Sequence, residues 1–114
     1  MPRRKQQRTQ VPLALGVPPI HSHARIHNHA DGTRISRQDI QAAWWQRIYV
    51  CPAEPDYPAG HRMLACKANG VLLEIGVASY GTLEEKIIHA DLLREIFKQL
   101  MDRDIPGWRE RWEP

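Results

Sequence analysis

Two histidines and two arginines stand where their side chains could do acid–base chemistry on an anionic substrate. His89 lies in the apolar segment 87–90, Arg94 follows shortly after it, and His61 and Arg62 open an earlier apolar segment. Imidazole exchanges protons near neutral pH, and a guanidinium stabilises charge on a phosphate. We therefore expect His89, Arg94 and His61 to be catalytic and Arg62 to contact an anion. The alternatives are a strand histidine bonded to a backbone carbonyl and solvated surface arginines.

A second group of histidines precedes the first predicted helix. It consists of two His-x-His pairs, His21 with His23 and His27 with His29. Imidazoles bind zinc, nickel and copper, and a closed zinc site needs four donors. The intervening residues follow no regular strand pattern, and no cysteine is nearby. We therefore expect surface histidines, no metal and no cofactor; a native metal and a catalytic role for His23 or His29 stay open.

The composition indicates a single folded domain. The chain has 114 residues, of which 42% are hydrophobic and 25% charged, and this leaves room for one core. Cys51 and Cys66 are too few for a disulfide framework and lack CxxC spacing. No apolar run approaches the roughly 18 residues of a membrane helix, and Pro12 interrupts the short run that follows the basic start. We expect no export signal, no membrane contact and a cytoplasmic protein.

The charge is unevenly distributed along the chain. The net charge is +3, but the first 30 residues hold five of the 16 Lys and Arg residues and no Asp or Glu, so the rest carries 13 acidic against 11 basic residues. Residues 1–20 are basic and proline-rich, which predicts a disordered arm. Residues 21–104 then form the domain. Residues 105–114 form a tail in which we expect Trp108 or Trp112 to pack on the domain or on a partner.

Two helices are predicted from capping and periodicity. Ser36 can cap a helix over residues 37–46, with Asp39 at the third position of a capping box. Ile40, Ala43 and Trp44 would face the sheet. A closing helix, capped by Asp91, is predicted to end before residue 106 and to carry its apolar face on Leu93, Ile96, Phe97 and Leu100.

Four strands are predicted, over residues 47–51, 61–67, 71–80 and 86–90. Asn69-Gly70 is the dipeptide of a type I′ hairpin turn, and Ile88 is expected in the core with His89 on the opposite face. The predicted fold is therefore α+β, with a helix packed on a three- to four-stranded antiparallel sheet and a closing C-terminal helix. One core is expected to contain Trp44, the alternating row Val71, Leu73, Ile75 and Val77, and also Phe97 and Leu100.

The order helix, strand, Asn-Gly hairpin, strand, helix resembles the BrnT group and related RelE-like ribonucleases of bacterial toxin-antitoxin pairs. Three patterns carry the resemblance: the strand 70–75 after a glycine, the block 87–90 and Arg94. His23-Ala24 with the segment 32–36 also resembles the opening of a small toxin-related family. The resemblance spans residues 23–100. Asp91 next to the block, and a domain without a basic excess, depart from the pattern.

The resemblance implies a type II toxin that cleaves RNA through 2′-hydroxyl attack without a metal. It implies RNA and a cognate antitoxin as partners and leaves a homodimer open. The basic residues expected to contact RNA are Arg62, Lys67, Lys86 and Arg34. The alternative is a non-catalytic partner-binding module, antitoxin-like or phage-borne. Convergence of His89, Arg94, His61 and Arg62 in one exposed concavity would favour the enzyme.

Overall fold

The computed structural model describes residues 16–53, 57–58 and 60–114. They form a five-stranded sheet and three helices, which is the predicted α+β class with more strands than expected. In chain order the elements are β1 (Ile20–Ile26), α1 (Arg37–Trp44), β2 (Arg47–Pro52), β3 (Arg62–Ala68), β4 (Val71–Ala78), β5 (Lys86–Leu92), α2 (Glu95–Asp104) and α3 (Trp108–Trp112).

The sheet is mixed rather than purely antiparallel. Its strand order is β1-β5-β4-β3-β2, with β1 parallel to β5 and all other neighbours antiparallel. The β3–β4 hairpin turns at Asn69 and Gly70, whose φ angles of 51° and 82° agree with the predicted turn. The sequence did not predict β1, because four of its seven side chains are polar and its partner strand lies far along the chain.

One face of the sheet, the first face, is covered by α1. The capping box at Ser36 and Asp39 is present, and the helix ends at Trp44, two residues before its predicted end. The first-face core combines three residues of α1, one residue before it and residues of β3, β4 and β5. Its members are Ile35, Ile40, Ala43, Trp44, Leu64, Cys66, Ala68, Leu73, Ile75, Val77, Ile87 and Ala90.

The second face carries a separate core under α2 and α3. Phe97 and Leu100 pack there and not with Trp44, so the single predicted core is in fact two. The reason is that β4, the middle strand, is buried on both faces. Trp108 is 1% exposed and its indole Nε1 donates to Asp102 at 2.8 Å, which confirms that a tail tryptophan packs on the domain.

A bulge in β5 changes the predicted placement of its residues. Gly76 pairs with His89 and Val77 with Ile87, so Ile88 is the extra residue. Ile87 is therefore fully buried, whereas Ile88 is only half-buried, contrary to the prediction. Asp91 also differs from its prediction, because it belongs to β5 and α2 begins later, with Arg94 at its N-cap.

The segment before β1 is partly described. Val17 packs against the first-face core, and the Ile87 amide donates to the Pro19 carbonyl at 2.9 Å. Residues 1–15, which make up most of the predicted arm, lie outside the described residues. Within the described part of the chain, no helix has the length and apolar character required to cross a membrane.

Candidate functional site

The candidate site is built around a buried carboxylate. Glu74 lies on β4, points to the second face and is 0% exposed. Its Oε1 accepts the Arg94 backbone N–H at 2.8 Å, and its Oε2 accepts the Arg94 Nε–H at 2.8 Å. A buried carboxylate is stable only when it is paired and hydrogen-bonded. Glu74 therefore fixes the start of α2 to the centre of the sheet.

The same carboxylate holds His89. The His89 Nε2 lies 2.9 Å from Glu74 Oε2, and because a carboxylate only accepts, Nε2 carries the hydrogen. The close approach depends on Gly76, which is in register with His89. A Cβ built on Gly76 would lie 2.9 Å from the Cβ of His89, so a larger residue would displace the histidine. The His89 ring is thus fixed, and its Nδ1 makes no hydrogen bond to Glu74.

His27 and Asp91 lie beside His89. The ring centroids of His27 and His89 are 5.3 Å apart in an edge-to-face arrangement, and His27 Nδ1 lies 4.0 Å from Asp91 Oδ2. His27 follows β1, where its amide donates to the Ala90 carbonyl at 2.9 Å. We call Glu74, His89, Arg94, His27 and Asp91 the polar cluster.

The polar cluster lies on the second face, beside the core that α2 and α3 cover. The apolar core under those helices is built on β2, β3 and β4, whereas His89 and Asp91 lie on β5 and His27 follows β1. Arg25 on β1 is in register with His89 and is exposed. Arg94 is 43% exposed, so solvent reaches its guanidinium. The cluster therefore combines two imidazoles, two carboxylates and one guanidinium group, and the Arg25 guanidinium lies beside it on β1.

Of the predicted site residues, the structure brings His89 and Arg94 together and leaves His61 and Arg62 elsewhere. His61 stacks on Tyr57 with ring centroids 5.9 Å apart. Arg62 pairs with Val77, whose side chain is in the first-face core, so it belongs to the opposite face from His89.

The three remaining predicted RNA contacts are spread over the fold. Lys67 lies on β3 near the Asn-Gly turn, in register with Leu72. Lys86 is exposed at the start of β5, and Arg34 is exposed in the segment that pairs with Asn28. Of the three, Lys86 is on the same strand as His89.

The four N-terminal histidines take different partners. His21 and His23 pair with each other, with ring centroids 5.6 Å apart. His29 Nε2 lies 2.8 Å from Asp39 Oδ2, and hydrogen bonds from the Ser36 backbone and from His29 lower the pKa of Asp39. His27 alone of the four joins the polar cluster.

Sequence reasoning missed Glu74, His27 and Asp91 as members of one site. One signal was available for Glu74: a carboxylate inside the apolar run 71–77 indicates a buried, paired charge. Asp91 stands two residues after His89, and this spacing places both side chains on one face of a strand. His27 gave no comparable signal, because the pairing of β1 with β5 brings it to these residues. No protein-family model, curated protein or solved structure matches the chain.

Proposed function

We propose that the chain is a metal-independent endoribonuclease, acting as the toxin of a type II toxin-antitoxin pair. The observation that carries this proposal is the pairing of His89 with buried Glu74, next to a second histidine, His27. A histidine oriented by a carboxylate is a recurring arrangement for general base catalysis.

The two histidines supply a base and an acid. His89 donates Nε2–H to Glu74, so neutral His89 has its lone pair on Nδ1 and can accept a proton there. His27 is 49% exposed and can therefore reach a leaving group bound at the surface. Two rings in edge contact are close enough to act on one phosphodiester.

Two arginines flank the histidines. Arg25 lies beside His89 across the β1–β5 pair. Arg94 lies on the other side of His89, and the Glu74 carboxylate is hydrogen-bonded to both side chains. Guanidinium groups at these positions stabilise charge that develops on the phosphate oxygens. Glu74 offsets the charge of Arg94, so Arg25 and the exposed Lys86 provide the local positive excess.

The reaction follows from these roles. His89 Nδ1 takes the proton of the ribose 2′-hydroxyl, and the 2′-oxygen forms a bond to phosphorus. The bond from phosphorus to the 5′-oxygen breaks, and protonated His27 gives its proton to that oxygen. The products are a 2′,3′-cyclic phosphate and a free 5′-hydroxyl, with no metal ion required.

The test is cleavage of total cellular RNA by purified protein in EDTA, scored for 2′,3′-cyclic phosphate ends. His89→Ala, His27→Ala and Arg94→Ala are each expected to lower the cleavage rate by about 10² to 10⁴. His23→Ala is the matched control, because His23 is an exposed histidine on β1 outside the polar cluster.

Each outcome decides one part of the proposal. If the wild type cuts no RNA under conditions in which it is folded, the ribonuclease proposal is wrong. If the wild type and the His89 variant cut equally, cleavage occurs at another site. Circular dichroism of each variant separates loss of activity from loss of fold.

A second candidate is the non-catalytic binding module. It is favoured by β2, which pairs with β3 on one side and with no other described strand on the other. Val50 on β2 is 40% exposed, and Trp45, the C-cap of α1 just before the strand, is 58% exposed. An edge strand with exposed apolar side chains suits strand addition by a partner. Val50→Lys should then abolish partner binding and leave RNA cleavage unchanged.

A further inference from the structure

The side chains of His27, His89 and Asp91 converge on one point of the second face. A ligand atom from each lies within 4.8 Å of the others, and His27 Nδ1 and Asp91 Oδ2 are 4.0 Å apart. His89 and Asp91 are two residues apart on β5, so they share a face. We propose that these three residues bind one divalent transition-metal ion, with Zn²⁺ as the best fit.

The donor set matches this class of ion. Two imidazoles and one carboxylate suit zinc and its neighbours in the first transition row, whereas calcium and magnesium prefer oxygen ligands alone. Three protein ligands leave a fourth position to water, as in open zinc sites. Cys51 and Cys66 are buried in the two cores, so no thiolate from the chain competes for the ion.

The surroundings of His89 are those of a metal-binding histidine. Such a histidine usually donates its other ring N–H to a carboxylate, which fixes the orientation of the ring. Glu74 accepts this hydrogen bond at 2.9 Å and is itself fully buried and held by Arg94. His89 is therefore preorganised to present Nδ1 to an ion.

The remaining two ligands can close the site. Ligand atoms about 2.0–2.1 Å from a tetrahedral zinc ion lie about 3.4 Å from each other, so the cluster must contract by about 1 Å. His27 is 49% exposed and Asp91 23%, and side-chain rotation of these two residues is enough. The backbone of His27 is fixed by hydrogen bonds to Ala90 and Ile35, which keeps its ring near β5.

The other histidines of the chain are less suited. His29 is already hydrogen-bonded to Asp39 within the cap of α1. His21 and His23 contact each other, but within the described residues no third metal-ligating side chain lies close enough to complete a site with them. These histidines therefore serve as internal controls.

The experiment is calorimetric titration of the untagged full chain with ZnCl₂, supported by visible absorption of the Co²⁺ form. One equivalent is expected to bind. His27→Ala at an exposed position and Asp91→Asn at a half-buried one should each weaken binding by at least about 10-fold, and Glu74→Gln by about 10- to 100-fold. His23→Ala should bind as the wild type does.

Three results would overturn the site. The first is no binding by folded wild type; the second is unchanged affinity in both the His27 and Asp91 variants. Loss of binding in His23→Ala instead would assign the ion to the His21–His23 pair and would also exclude the proposal.

Binding itself does not depend on the proposed ribonuclease activity. If both proposals hold, Zn²⁺ occupies the two imidazoles needed for proton transfer, so it should inhibit RNA cleavage and EDTA should restore it. Zinc binding with no effect on cleavage would refute the acid–base assignment of His27 and His89 and leave the metal site in place.

Discussion

Replacement of Glu74 by glutamine tests the link between the buried carboxylate and the fold. The side chain keeps its size, but one oxygen becomes an NH₂ group. If the remaining oxygen accepts the Arg94 backbone N–H, the NH₂ group faces two donors, Arg94 Nε–H and His89 Nε2–H. Two hydrogen bonds are then lost, one of them to a permanently charged partner.

The cost follows from these two bonds. Both hydrogen bonds are accepted by an ionised carboxylate, and a hydrogen bond to a charged group contributes about 1.5–3 kcal/mol, so Glu74→Gln should lower the free energy of unfolding by about 3–6 kcal/mol. Removal of one member of a fully buried ion pair costs about 3–5 kcal/mol. The low end of both ranges, about 3 kcal/mol, applies here because Arg94 is 43% exposed and water can solvate it.

Urea unfolding followed by tryptophan fluorescence measures the difference, since Trp108 reports on the core next to α2. Glu84→Gln is the matched control: Glu84 is exposed, and its replacement should change stability by less than about 0.5 kcal/mol. A Glu74→Gln variant as stable as this control would refute the argument that the carboxylate holds the sheet and α2 together.

Three further predictions follow from packing and ionisation. Gly76→Ala places a methyl group 2.9 Å from the Cβ of His89, so it should destabilise the fold by about 1–3 kcal/mol and shift the His89 ring resonances in NMR spectra; an unchanged spectrum would contradict it. Leu73 is 0% exposed in the first-face core, and Leu73→Ala should cost about 2–5 kcal/mol in urea unfolding; an unaltered curve would mean that the core tolerates the cavity. Burial and the hydrogen bond to Asp104 raise the pKa of Tyr49 to about 12. Because the pKa is raised, the protonated Tyr49 hydroxyl stabilises the folded state. This contribution to the free energy of unfolding is complete below pH 10 and is lost as the pH rises from 10 to 12. The unfolding midpoint of the wild type should therefore fall more steeply over that range than that of Tyr49→Phe, and parallel pH profiles would count against the shift.

Local signals predicted the elements whose determinants lie within a few residues. Asn69-Gly70 identified the hairpin turn, and Ser36 with Asp39 identified the start of α1. Long-range features were missed. The parallel pairing of β1 with β5 depends on contacts between distant segments, and the second core arises because β4 buries both of its faces.

The candidate site was predictable only in part for the same reason. The alternating row that contains Leu73 implies that Glu74 points to the opposite face, but no local pattern connects Glu74 with Arg94 or His89. The bulge in β5 further shifted the register, so that Ile87 and not Ile88 became the core residue. Side chains that meet across a sheet require the strand order, which periodicity does not contain.

The parallel pairing of β1 with β5 also sets when the polar cluster can form. Ile20 is in register with Ile87. Of the described strands, β1 is synthesised first, and it can pair with β5 only after β5 has been synthesised as the last one. The hairpins from β2 to β5 can form by local closure, whereas docking of β1 closes a long loop at greater entropic cost. His27 therefore meets His89 late in folding, and a nascent chain that lacks β5 carries an incomplete cluster.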